Sequence, residues 1–381
     1  MPRRKRTGPR KPRKPAVAAV PPGFVMPPPA AVSRDVLARC QQLGFALAGI
    51  APAQPSAYAD QLRAWLASGK HATMQFMLDD VDTRVDPTRI LPGTRAFIVV
   101  ADQYATRNDA PDEPPPGHAS VARYARGRDY HDTVKRRLHA LADQLRITYP
   151  GSEFRTCVDT APINERELAV LAGLGWQGKH TLVIHPRLGS YFVLGVVATT
   201  LELVPSSHIP DSCGTCTRCI DACPTRAISP YSVDASRCIS YLTIEREEPI
   251  DPSFHAAMAD WLFGCDICQQ VCPHNTPRDA RIDIGAAHDA YTPQHTSFDL
   301  LKVLGWSEVD RREAFTNSAM KRASLAQMQR NAIISATNTL QGQSRTTLKQ
   351  KLAALATDLS APASVRQTAQ EALAGLAANE R

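Results

Sequence analysis

Two cysteine runs constrain this chain more than any other feature: C-G-T-C-T-R-C-I-D-A-C-P from Cys213 to Pro224 and C-D-I-C-Q-Q-V-C-P from Cys265 to Pro273. Four cysteines spaced two, two and three residues apart and closed by proline form the ligation pattern of a [4Fe–4S] cube. Three thiolates grip one cube and the fourth crosses to a second.

On that pattern Cys213, Cys216 and Cys219 need a fourth ligand, and Cys272 at the end of the second run is the candidate. The second cube then has Cys223, Cys265 and Cys268. Cys238, in V-D-A-S-R-C-I-S-Y between the runs, completes it, so eight of the ten cysteines divide into two sets of four. Two four-thiolate zinc sites also use C-x2-C pairs and are the alternative. The tight C-x2-C-x2-C-x3-C-P run is unusual for tetrahedral zinc, and colour separates the two readings, since cubes are brown. Metal-ligating spacing in a long chain argues for a reducing compartment, the cytoplasm, rather than a disulfide framework.

The 381 residues suffice for two or three domains. No apolar run approaches the length of about 18 residues that a membrane span needs. The formal charge is +7, but residues 1–14 alone carry eight positive charges and no acid, leaving the remainder near −1. The basic balance therefore belongs to the N-terminal arm and says nothing of nucleic-acid binding by the folded body. Residues 1–30 turn from basic to proline-rich and are expected to be extended or disordered, adding at most a salt-sensitive attraction to phosphates. Arg3 and Arg4 are followed by an apolar segment that Pro21 and Pro22 cut short, so no export signal is expected.

Along the rest of the chain, Ser33 is placed to cap a helix with Val36, Leu37, Cys40 and Leu43 on one face, ended by Gly44. Short buried strands over 45–50 and 96–101 flank a helix over 58–68, the alternation of an α/β unit. Arg84 falls in a loop. The segment R-Y-A-R-G-R-D-Y-H from Arg123 to His131 holds Arg123, Arg126 and Arg128, either phosphate contacts or a charged surface. Val134, Leu138, Leu141 and Leu145 mark a helix, and a strand over 154–158 buries Cys157. Asp159 follows at the strand end, where it either caps the next helix, with Pro162 in its first turn, or presents a carboxyl group at the mouth of the fold. G-L-G-W-Q-G-K-H-T-L from Gly173 to Leu182 matches neither a Walker A loop nor a dinucleotide fingerprint, but its glycines let a large ligand approach the backbone. Strands over 181–184 and 191–199 pair across a loop containing Gly189. From about residue 286 the chain turns helical, over 320–340, 348–359 and 365–376, with Gly342 and Pro362 between.

A two-cube module moves electrons singly to or from something else, and with no dinucleotide fingerprint a bound organic cofactor or a partner protein must receive them. R-Y-A-R-G-R-D-Y-H, V-D-T-A-P, G-L-G-W-Q-G-K-H-T-L, the two cysteine runs, R-C-I-S-Y-L-T-I-E and L-A-Q-M-Q-R-N-A strongly resemble the epoxyqueuosine reductases, over about residues 33–340.

That resemblance implies an α+β protein. It comprises a basic arm (1–30), an α/β cobalamin-binding domain (31–205), an inserted ferredoxin-like domain with two [4Fe–4S] clusters (206–285) and a HEAT-like helical region contacting tRNA (286–381). It implies a cytoplasmic, monomeric oxidoreductase that reduces epoxyqueuosine to queuosine at the tRNA wobble position, fed by an unidentified electron donor through the cubes to cobalamin. Asp159 would be the proton donor. Arg84, Asp159, Lys179, His180, Thr181 and Asp266 would contact the cobalamin. To donate near neutral pH, Asp159 would need its pKa raised by burial against the corrin. Arg123, Arg126, Arg128 and the helical tail would hold tRNA phosphates. A cobalamin-dependent reductive dehalogenase and a non-catalytic ferredoxin-type carrier are the competing readings.

Overall fold

The computed structural model describes residues 19–109, 113–277 and 283–378. Most of the arm expected to be extended lies outside them. Helix α1 spans Pro29–Gln42 and starts four residues before the expected cap, because Pro29 has the fixed φ suited to a first turn. Ser33 sits inside the helix, donating its hydroxyl to the Pro29 carbonyl and accepting the Val204 N–H. The apolar face is as expected: Val32, Val36 and Cys40 are buried, and burial pushes the Cys40 thiol up to about 12. Gly44, at φ +79, ends the turn.

Strands β1 (Leu47–Pro52) and β2 (Ala96–Gln103), then after helix α2 (Tyr130–Thr148) strands β3 (Phe154–Cys157) and β4 (Phe192–Thr199), form one sheet in the order β1-β2-β4-β3. Every pairing is antiparallel. Every residue of β2 is buried, since the sheet is covered on both faces. Ile98, Val100 and Val197 meet α1 and α2 on one side, while Phe97, Val99 and Val196 meet Leu168, Ala169 and Leu174 on the other. This two-sided burial explains the unbroken apolar run in the sequence. Cys157 is a core thiol, pushed up by burial to about 12.

The strand pairing expected between 181–184 and 191–199 does not form. Val183–Ile184 instead pairs with Trp176–Gln177. The glycines that were to admit a ligand admit the chain itself. A Cβ on Gly173 would lie 2.2 Å from the Ser207 carbonyl oxygen, and one on Gly175 2.2 Å from that of Ile184.

A second, mixed sheet links distant parts of the chain. The segment His118–Val121 pairs in parallel with Trp261–Phe263 and antiparallel with Ser297–Asp299. Beyond it come helices Leu325–Thr339, Gly342–Thr357 and Ala363–Ala378, near the expected positions, whose apolar faces join the core beneath this sheet. The described residues form a mixed α+β protein, and among them no helix is long and apolar enough to cross a membrane.

Candidate active site and cluster ligands

The eight cysteines, those of the two runs and Cys238, influence one another electrically. Burial pushes the Cys272 thiol up to about 11, and its neighbours Cys213, Cys219 and Cys216 add to the rise. Cys219 is raised by burial and by Cys213 and Cys216. Burial raises Cys268 too, with Cys238, Asp266, Cys219 and Cys223 contributing, and it raises Cys265 with help from Cys268 and Cys238. Thus Cys219 and Cys272 feel the charges of Cys213 and Cys216, Cys265 and Cys268 feel that of Cys238, and Cys268 also feels Cys219 and Cys223. Buried thiols with raised pKa values ionise only when a cation compensates, which metal ligation does. Among the described residues no three His, Cys, Asp or Glu side chains close on one ion-sized point. A cube asks less convergence, because each thiolate grips a separate iron. Trp176 and Ile184 pack on Cys272 and Cys213.

Asp159 stands just past β3 at φ +53, a left-handed conformation that aspartate tolerates better than most residues. It does not cap the following helix, which runs over Glu165–Leu171 and starts six residues on, with Pro162 outside it. Instead its N–H donates to Glu165 Oε1 at 2.7 Å, and its side chain is exposed, with Oδ2 3.0 Å from His131 Nε2. Nδ1 of the same ring lies 2.7 Å from Oδ1 of buried Asp129, which Lys321 Nζ also meets at 2.6 Å. Tyr130 stacks on the ring, centroids 4.0 Å apart.

The protein groups around Asp159 favour its carboxylate form. Burial pushes its carboxyl up, but the hydrogen bond and charge of His131, aided by Arg166, outweigh that and hold it below the usual carboxylate value. Burial alone would lower His131, yet its bonds to Asp129 and Asp159 raise it to about 9. The proton therefore rests on the imidazole. Glu165 is the neighbour that burial does push up, to about 8, with the charge of Asp159 adding to it.

Arg84 lies at the end of the short helix Val81–Val85 rather than in a loop, donating to the Phe76 carbonyl. Burial lowers its pKa against the pull of Asp80, Asp79 and Asp159, and its Nε has no hydrogen-bond partner. Arg166 donates to the Thr181 carbonyl and hydroxyl, at 3.1 and 3.0 Å. It interacts with Asp159 and Glu165 on one side and with Cys238 and Cys268 on the other. His180 is buried and accepts the Leu182 N–H at Nδ1. Burial pulls its pKa down to about 4, and Nε2 is left without a partner. Asp159 thus acts on Arg84 and Arg166 through its charge, Arg166 bonds Thr181, and His180 feels the charge of Arg166.

Lys179 and Asp266 both have backbone partners. Lys179 Nζ donates to the carbonyls of Gly214 and Cys216 at 2.6 and 3.0 Å, tethering the first cysteine run. Asp266 is 2% exposed and accepts the Arg123 N–H at 2.7 Å. Arg123 and Arg126 are not surface phosphate contacts: both are buried, Arg126 Nε donating to the Val121 carbonyl and Arg123 lying over the Tyr191 ring. Arg128 is exposed. With Arg136, Arg137 and His288 it lines a cavity of about 510 Å³. Sequence reasoning missed His131, Asp129, Glu165 and Arg166. The only linear signal was a D-Y-H triplet opening a helix and an E-R pair opening another.

The description "Epoxyqueuosine reductase QueG, DUF1730" fits residues 84–160, and "4Fe-4S double cluster binding domain" fits residues 212–275. The chain is 35% identical over 305 residues to the epoxyqueuosine reductase of Leadbetterella byssophila, covering 78% of this chain and 96% of that protein. It is 39% identical over 302 residues to that of Salmonella typhimurium, covering 78% and 77%. A crystal structure of epoxyqueuosine reductase with an epoxyqueuosine-modified tRNA stem loop superposes at a TM-score of 0.81 and 26% identity, over 90% of this chain and 89% of that one. The Bacillus subtilis enzyme with its aspartate catalytic loop swung out of the active site superposes at 0.77 with the same identity and coverage. The two family descriptions take in Arg84, Asp129, His131, Asp159 and the eight cysteines, and with a 35% identical relative matched over 96% of its length, this chain belongs to the epoxyqueuosine reductase family.

Proposed function

We propose that this protein reduces epoxyqueuosine to queuosine in tRNA. One observation carries the reading: buried Arg166 feels the charges of Asp159 and Glu165 together with those of Cys238 and Cys268, which sets a proton-handling pair near candidate cluster ligands. Removing an epoxide oxygen as water takes two electrons and two protons and leaves an alkene. Cys213, Cys216, Cys219 and Cys272 would hold one [4Fe–4S] cluster, and Cys223, Cys238, Cys265 and Cys268 the other.

The residues present also fit cobalamin beside Asp159. Arg84 Nε and His180 Nε2 are buried polar atoms without a hydrogen-bond partner, suited to the amide-rich rim of a corrin. Arg84, His180, Thr181 and Asp159 would line it. Lys179 and Asp266 would act from behind, each holding a cysteine loop in place. When bound, cobalamin supplies a low-valent cobalt able to gather electrons that clusters deliver singly. Asp159 presents its carboxyl to the departing oxygen, and its exposed side chain suits a substrate arriving from solvent.

The finer organisation follows the same reading. Residues 31–205 would bind the cobalamin, 206–285 the clusters, and 286–381 with the 1–30 arm would contact tRNA, with the wobble base turned out toward Asp159. The protein would act as a cytoplasmic monomer served by a separate electron donor. The anchoring experiment is an anaerobic assay on epoxyqueuosine-containing tRNA, with and without cobalamin, alongside metal analysis. Queuosine formation that depends on cobalamin, with about eight irons per chain, is expected. A brown protein that never binds cobalamin and makes no queuosine would be a plain electron carrier.

A further inference from the structure

Reduction of an epoxide to an alkene and water consumes two protons, while one carboxyl group delivers one at a time. The structure shows how the supply is arranged. Asp129 Oδ1, His131 Nδ1, His131 Nε2 and Asp159 Oδ2 form a continuous line, with contacts of 2.7 and 3.0 Å. Asp129 is buried and its carboxylate only accepts, so it fixes a proton on Nδ1 whenever the ring is neutral. Nε2 is thereby left to take up a proton and pass it on. Tyr130, stacked on the ring, limits its rotation, and Lys321 steadies Asp129 from the far side. The ring is partly open to solvent while Asp129 is not, which gives the line one inner anchor and one outer mouth.

We propose that His131 is a positioning and proton-supplying residue for Asp159. Asp159 Oδ2 takes a proton from His131 Nε2 and delivers it to the epoxide oxygen, and the ring, its Nδ1–H held by Asp129, regains a proton at Nε2 from solvent while Asp159 is turned to the substrate. This inference rests on the proposed function. The balance closes with two such passages and the two electrons that the reductant delivers: the epoxide loses its oxygen as water, the two carbon–oxygen bonds are replaced by a carbon–carbon double bond, and Asp159 ends as it began. The resting charge distribution agrees, the proton being held on the imidazole and the carboxylate of Asp159 being kept ionised beside it.

The ring meets Asp129 and Tyr130 from its own segment and Asp159 from the segment after β3, its charge reaches Glu165, and behind these Lys321 of the turn over Ala319–Arg322 pairs with Asp129 and Asp132 while Arg166 acts on Asp159. Tyr124 and Arg322 also feel the charge of Asp159. Of these, Asp129 and Asp159 alone hydrogen-bond the ring nitrogens in the contacts described, so they govern its titration.

The test is the pH dependence of single turnover by the cofactor-loaded enzyme on epoxyqueuosine-containing tRNA, for wild type, His131→Gln, His131→Ala with added imidazole, and Asp129→Asn. Wild type is expected to keep its rate until the pH nears 9. Asp129→Asn should bring that alkaline fall to lower pH, and His131→Gln should lose about a hundredfold in rate together with the fall itself. Imidazole should restore part of the rate to His131→Ala. Variant profiles of wild-type shape, merely scaled down, with no imidazole rescue, overturn the relay. If the His131 variants lose iron, Asp129→Asn decides, an unmoved alkaline limb sinking the proposal. Wild type that never turns over epoxyqueuosine fails the functional reading instead, and with it the relay.

Discussion

Arg330 Nη2 donates to the Leu242 carbonyl at 2.7 Å, joining the helix Leu325–Thr339 to the short helix that follows Cys238. Nη1 of the same side chain donates to the carbonyls of Arg246 and Glu248, also at 2.7 Å. Arg330 is fully buried, and burial lowers its pKa to about 10. Asn331 beside it donates to the Thr243 and Leu262 carbonyls at 2.9 Å. The R-N pair of the L-A-Q-M-Q-R-N-A motif is therefore a brace for the segments bearing Cys238 and Cys265.

Arg330→Ala leaves the buried Leu242 carbonyl without its donor, while the Arg246 carbonyl keeps Gln327 Nε2 and exposed Glu248 turns to water; a partner lost in a dry interior costs about 1–3 kcal/mol. Denaturant unfolding should show a loss of at least about 1 kcal/mol, and the purified variant should carry less iron. A variant of wild-type stability and full iron content would refute the bracing role.

Lys179→Ala removes the ammonium that ties Gly214 and Cys216 together, while leaving all eight thiols intact. Hydrogen bonds from charged donors are worth about 1.5–3 kcal/mol, so iron should leave to a chelator about tenfold faster than from wild type. Visible absorbance during chelation reads this directly. An unchanged bleaching rate, with altered cobalamin affinity, would move Lys179 back to the corrin.

Asp159→Asn should keep iron and cobalamin and lose turnover. It should also lower the pKa of His131 from about 9, because one of the two carboxylates holding the imidazolium is gone. The stability that the charged ring contributes in wild type is fully present below the unfolded value of about 6.5 and disappears as the pH rises through about 9. Melting curves of wild type and variant should therefore draw together across that interval. Curves that stay parallel would mean the pair does not titrate as described.

Arg128 and Arg136 line one cavity and Arg137 is committed to Asp102. Replacing Arg128 and Arg136 by alanine should weaken tRNA binding and flatten its log–log salt dependence by about two, near one for each phosphate released. Arg123→Ala should instead reduce folded yield, because that side chain is buried over Tyr191. Equal salt slopes in the double variant and wild type would clear this face of phosphate contact.

Much of the architecture was legible because it depends on local regularities. Val134, Leu138, Leu141 and Leu145 repeat with helical period and are all buried, and the cysteine spacing marks the residues that the double-cluster family description matches. What escaped depends on distance along the chain. Nothing near His131 announces Asp159, which lies 28 positions later. The arginines of R-Y-A-R-G-R look alike as letters, yet two turn inward toward backbone carbonyls or an aromatic ring and one faces water. The Ser33 cap failed because Pro29 offered an earlier start, and the glycine-rich segment misled because φ values above zero serve chain crossing as well as ligand approach.

The sheet that seats His118–Val121 between Trp261–Phe263 and Ser297–Asp299 has an engineering consequence. The cluster-bearing stretch cannot be cut out as a portable cassette: excision would bare the edge of His118–Val121, shortly ahead of the helix Tyr130–Thr148 that carries the histidine of the acid–imidazole pair. Chimaeras in this family must therefore exchange all three segments together, or accept a sticky, unpaired border at the heart of the protein.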